Sequence, residues 1–153
     1  MIEFRASDFR PLDDFPLLWR WSRGGTREVP ARALGTIRPL TTAKAEELAP
    51  EALRMALPRP TSELELSIAT DWDDPEPVRQ RLFSLPVRLD TAVIVSWNAS
   101  TAALTVWSTF VQFWDDFCYP SSDDVTVWAP GEAWCLNYRH FQFIEYGPAR
   151  RAV

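Results

Sequence analysis

The chain has 153 residues, the size of one domain and long enough to bury a core. Its formal charge is −5 and uneven: residues 61–137 hold 3 basic and 12 acidic groups, a balance of −9, while the segments on either side each stand at +2. That pattern leaves no basic stripe for nucleic acid, and it suits a basic protein partner.

Taken in chain order, Leu17–Trp21 is the best candidate strand in an N-terminal segment where Pro11 and Pro16 limit helix. Ser22–Gly25 reads as a turn, and Pro30–Leu34 as one helical turn with proline first. Thr41–Thr42 caps a helix that begins AKAEEL; Pro50 is expected to end it at residue 49 and to start a second helix up to Pro58. The Pro58–Ser62 stretch is a loop.

Alternation in Glu63–Ala69 predicts a half-buried strand with Leu64, Leu66 and Ile68 on one side. An acidic turn follows around Trp72, carrying Asp71, Asp73 and Asp74. Asp74 then caps a short helix to about Ser84, with Pro75 at its first position and Val78, Leu82 and Phe83 on one side.

The organising stretch is Thr91–Gly147, which holds most of the aromatic residues, both cysteines and the one histidine. Val93–Trp97 has the continuous apolar character of a central strand covered on both faces, and a tight Asn98–Ala102 turn pairs it with a strand around Leu104 and Val106. Ser108 or Thr109 caps the next helix, expected over Ser108–Tyr119. Phe110, Phe113, Trp114 and Phe117 make its apolar stripe, and Pro120 stops it. Val125–Trp128 and a long strand Trp134–Tyr146 form a last hairpin around Pro130–Gly131. The side-chain alternation of that long strand changes phase near Arg139–His140, so either both of its faces are covered or a bulge swaps them. Helices mixed with hairpin strands predict a single α+β domain, residues 1–153, with a mostly antiparallel sheet.

Few constellations carry chemistry. His140 stands alone, so it cannot build a multi-histidine metal site, and it reads as a structural strand residue rather than a general base for Cys118 or Cys135. The two cysteines sit among aromatics and read as buried thiols. Five glycines and no phosphate-loop, serine-hydrolase or zinc-protease motif argue against those enzymes. The expectation is no catalytic residue, no metal and no cofactor. The charged N-terminus MIEFRASDFR is unlike a signal peptide, and no apolar run reaches transmembrane length, so a cytoplasmic protein is expected, with no membrane and no nucleic-acid partner.

The carboxylates carry more. Asp115 and Asp116 are expected late in a helix, where negative charge opposes the macrodipole and needs compensation: a nearby arginine first, a basic partner second, a metal third. For Asp123 a local turn, closed through its side chain, is the first reading. Asp71, Trp72, Asp73, Asp74, Asp115, Asp116, Asp123 and Asp124 are the candidate partner-binding residues.

The segments LLWRWS…VPARALGTIRPLTTAKAEEL and FWDDFCYPSSDDVTVW…WCLNYRHFQFIEYG together resemble a family of small uncharacterised bacterial proteins. Trp114–Asp124 is the most specific piece. These are similar to the single-domain α+β immunity proteins of polymorphic-toxin systems, some with the SUKH-type fold. The resemblance implies a non-enzymatic immunity protein that neutralises a cognate toxin through an acidic, aromatic-containing surface. Two alternatives remain: a small metal-dependent hydrolase or transferase using clustered carboxylates, and a structural or regulatory subunit of a cytoplasmic assembly.

Overall fold

The computed structural model describes residues 2–22 and 28–150. Among these residues seven strands form one antiparallel sheet: β1 (Arg38–Pro39), β2 (Leu66–Ala69), β3 (Ala92–Asn98), β4 (Thr101–Val106), β5 (Val125–Trp128), β6 (Trp134–Arg139) and β7 (Phe143–Pro148). Their spatial order is β1-β4-β3-β5-β6-β7-β2. The helices are α1 (Ala31–Leu34), α2 (Thr42–Ala56), α3 (Glu76–Phe83), α4 (Trp107–Gln112) and α5 (Trp114–Phe117). The fold is α+β, as the mixture of patterns predicts.

The sheet is covered on both faces, which explains the unbroken apolar run in β3. Its Ile94 packs with Leu48, Ala52 and Met55 of α2, while Val93 and Val95 point the other way into a core of aromatic rings. Neighbours on both sides, β4 and β5, make β3 a central strand.

α2 runs through Pro50 as one helix of 15 residues, not two. Its buried positions Ala45, Leu48, Ala52 and Met55 keep helical spacing across the proline, and packing that stripe on the sheet offsets the missing hydrogen bond. Pro50 and Glu46, whose carbonyl loses its donor, both lie on the exposed side of the helix. Thr41 caps the helix, its side chain accepting from Lys44 N at 3.2 Å. At the other end Asn137 donates to Met55 O (3.0 Å) and Arg139 to Ala56 O (2.8 Å), satisfying carbonyls that a helix end leaves open.

Several other expectations are corrected. Leu18–Trp21 is a 3-10 turn rather than a strand, with Trp21 turned into the aromatic core. The expected turn at Ser22–Gly25 lies, beyond Ser22, outside the described residues. The helical turn α1 forms, but Pro30 is its cap rather than its first residue. Neither Asp74 caps α3 nor Ser108 or Thr109 caps α4; Pro75 and Val106 occupy those cap positions. The long strand Trp134–Tyr146 is two strands, β6 and β7. The change of phase at Arg139–His140 is a reversal of the chain, with Gln142 at φ 65° and its N–H donating to Arg139 O at 2.9 Å.

The helix expected over Ser108–Tyr119 breaks at Phe113 (φ −121°, ψ 29°) into α4 and α5. The break frees the Gln112 carbonyl, which accepts from buried Arg79 Nε at 2.9 Å. Phe110, Trp114 and Phe117 remain fully buried, but Phe113 turns aside and is only half-buried. The break also reverses the expectation for Asp115 and Asp116, which sit in the first turn of α5 rather than late in a helix.

Candidate functional site

One end of the sheet gathers the acidic segments. Three loops meet there: residues 70–75 between β2 and α3, 118–124 between α5 and β5, and 140–142 between β6 and β7. β2 and β7 are paired in register through Ala69 and Phe143, which brings the first and third loops together. Thr70 N donates to Gln142 O (2.9 Å), and Trp72 N to Gln142 Oε1 (3.3 Å). The Trp72 indole donates to Asp115 O of α5 (2.6 Å) and sets its ring edge-on to Tyr119 of the second loop, 5.5 Å between centroids. The second and third loops join where Ser121 N donates to His140 O and His140 N to Asp124 Oδ1, both at 2.9 Å.

Two non-glycine residues with positive φ, Ser121 (70°) and Gln142 (65°), lie in these loops. A left-handed backbone at such residues costs free energy and persists because the cross-links hold it. Trp19 completes the end, packing edge-on against Tyr119 at 5.5 Å.

The candidate aspartates divide between fold and surface. Asp116 is 0% exposed and Asp123 is buried, so neither belongs to an exposed rim. Asp123 accepts from Arg20 at 2.5 and 3.1 Å and from Tyr119 N at 2.9 Å, closing its own loop and neutralising a buried guanidinium. That guanidinium lies over the Tyr119 ring, 4.2 Å from its centroid. Asp115 pairs with Arg79 at 2.9 Å, the compensation by a nearby arginine that the sequence suggests first.

Asp71, Asp73, Asp74 and Asp124 are exposed. Asp71 organises its turn by accepting from Asp73 N at 3.0 Å. Asp124 also faces His140 Nδ1 at 3.1 Å, so His140 is an exposed turn residue and not a strand residue. No lysine or arginine occurs in any of the three loops. Trp19 (46% exposed) and Phe141 (66% exposed) frame the surface, with Trp72 and Tyr119 half-buried between.

Sequence reasoning missed Trp19, Tyr119, His140 and Phe141. The abundance of aromatics was visible, but their convergence depends on the β6–β7 reversal and on the 3-10 turn, neither of which the pattern disclosed.

The thiols are separated. Cys118 belongs to the aromatic core and Cys135 to the α2 core, on opposite faces of the sheet. Burial pushes the Cys118 thiol well up, with Asp123 adding to the effect. Burial also raises Cys135, against the opposing pull of Arg59, whose Nη2 lies 2.6 Å from Sγ. Neither is poised as a nucleophile. Among the described residues no three His, Cys, Asp or Glu side chains converge as metal ligands, and no helix is long and apolar enough to cross a membrane.

No protein-family model matches the chain, and neither a curated protein nor a solved structure matches it. Membership of the immunity family is accordingly a matter of proposal.

Proposed function

We propose that the chain is a non-enzymatic binding protein that captures a basic protein on its acidic, aromatic end. In the immunity reading the partner is a cognate toxin, and both act in the bacterial cytoplasm. The observation that carries this is the cross-linked set of loops presenting Asp71, Asp73, Asp74 and Asp124 beside Trp19 and Phe141, with no lysine or arginine in those loops. A surface held rigid before binding loses little entropy on association, aromatic rings supply anchors, and like charges raise the on-rate of an opposite partner.

The test is capture from the native host with the tagged wild type and with a variant carrying Asp71→Asn, Asp73→Asn and Asp74→Asn. The side-chain carbonyl introduced by Asp71→Asn can still accept from the backbone N–H of residue 73, so melting temperature should hold. The wild type should retain a basic protein whose expression alone arrests growth. The variant should associate more slowly, with a flatter dependence on salt. Identical retention and salt dependence in both would refute the reading.

A further inference from the structure

The acidic end continues onto the other face of the sheet. There α2 lies over β3 and β5 and leaves a slot of about 180 Å³, walled by Ala49, Ala52, Leu53 and Ala56 of the helix and, from the strand side, by residues 96–99 at the end of β3 and by Asp124 and Thr126. The slot exists because α2 places alanines at 49, 52 and 56, whereas Leu48 and Met55 fill the core beside them. Drug-sized ligands occupy pockets of roughly 300–1,000 Å³, so this volume suits a single extended side chain rather than a cofactor.

The slot is chemically one-sided. Its helix wall is aliphatic, and the Asp124 carboxylate is the one formal charge in its lining. The Asp124 side chain is 61% exposed. His140 N and Nδ1 both approach Oδ1, at 2.9 and 3.1 Å, while Oδ2 lies further from Nδ1 at 3.3 Å. A trough with an aliphatic helix wall, a partly polar strand wall and a carboxylate at its end matches a long cationic side chain, whose methylene stem covers apolar surface while its head forms charge-assisted hydrogen bonds. An apolar side chain would crowd the carboxylate without pairing it, and an acidic one would be repelled.

We infer that this slot receives an arginine or lysine side chain of the basic protein partner, with its stem on the alanine wall of α2 and its cationic head on Asp124. This rests on the reading of the acidic end as a docking face, and it extends that face around the sheet edge to α2. The three loops supply charge and aromatic contact, and the slot fixes the register of the partner.

The test needs no partner. Amide NMR spectra of the full chain are followed during titration with n-butylguanidinium, with guanidinium (charge without stem) and 1-butanol (stem without charge) as controls. Saturable shifts are expected at Ala52, Ala56, Thr126 and Asp124, at lower concentration for n-butylguanidinium than for either control. Asp124→Asn should weaken binding by about two- to fivefold, the share of an ion pair at a carboxylate this exposed. Ala49→Leu, at a half-buried helix position where leucine folds readily, should fill the slot and abolish the shifts. Equal binding of 1-butanol, or full binding to Asp124→Asn, would overturn the cationic occupant; no saturable shift at these residues would overturn the slot. Failure here with loss of the partner in the Asp71/Asp73/Asp74 variant removes the slot and leaves the binding reading. Slot binding with unaltered partner capture in that variant does the reverse.

Discussion

The two faces of the sheet are built differently. The α2 face is covered by that helix together with the N-terminal segment, and its core is mostly small and aliphatic, with Leu40, Ala45, Leu48, Ala52 and Met55 around the Trp128 ring. The opposite face is covered by short helices and 3-10 turns and packed with rings: Trp21, Trp107, Phe110, Trp114, Phe117, Trp134 and Tyr138. A long amphipathic helix brings its own backbone hydrogen bonds and needs only a stripe to dock. Short turns bring few, so the aromatic face takes order from contacts between distant segments. Trp97 and Trp114 donate their indole N–H groups to Phe117 O (2.8 Å) and Pro75 O (3.1 Å), and Arg20 reaches Asp123 across 103 positions of sequence. The three acidic loops hang from this second face, which is how irregular chain can be held rigid at the candidate site.

The largest test of that contrast is truncation in each core. Trp114→Ala should cost about 3–5 kcal/mol and Met55→Ala about 2–5 kcal/mol, from lost transfer energy plus a cavity. Half-buried Phe113→Ala should cost only about 1–2 kcal/mol. Urea unfolding measures all three; a Trp114→Ala loss no larger than that of Phe113→Ala would show that the rings are not the main support of that face.

Asp123→Ala should be nearly as damaging, at about 3–5 kcal/mol, because it leaves the Arg20 guanidinium buried without its carboxylate. On the α2 face the ion pair of Lys44 with largely exposed Glu47 is expected to matter little, and Glu47→Ala should cost about 0–1 kcal/mol. Comparable losses in thermal melts would remove the distinction between a structural and a peripheral pair.

The last test is of pH dependence, where the effect is confined to alkali. Burial pushes the Tyr146 phenol, on the aromatic face, up to about 12 from 10.0, and raises Tyr138 and Cys118 as well. The fold favours the neutral phenol, so unfolding releases a proton once the pH passes the unfolded value. This contribution is fully present below about pH 10 and lost as the pH rises through about 12. Tyr146→Phe should flatten the alkaline limb of the stability profile. An unchanged limb would mean that Tyr146 ionises in the folded protein as readily as in the unfolded one.

Much of the fold was legible in the sequence for a local reason. Val93–Trp97 and Val125–Trp128 declare strands, Leu104 and Val106 declare another by alternation although it begins earlier, at Thr101 within the expected turn, and Thr41 declares a helix cap; each is decided within a few residues. Where neighbours in space overrule local preference, the sequence misled. Pro50 is carried through a helix by the stripe docked on the sheet, and Phe113 breaks a helix whose freed carbonyl is taken by Arg79, far away in the chain. At the site, the sequence by itself determined that acid is concentrated in residues 61–137, because composition is independent of folding. Only the tertiary structure decided which carboxylates face outward. Burial depends on long-range partners, so Asp116 and Asp123 turn inward, the latter against Arg20, while Asp71, Asp73, Asp74 and Asp124 remain at the surface.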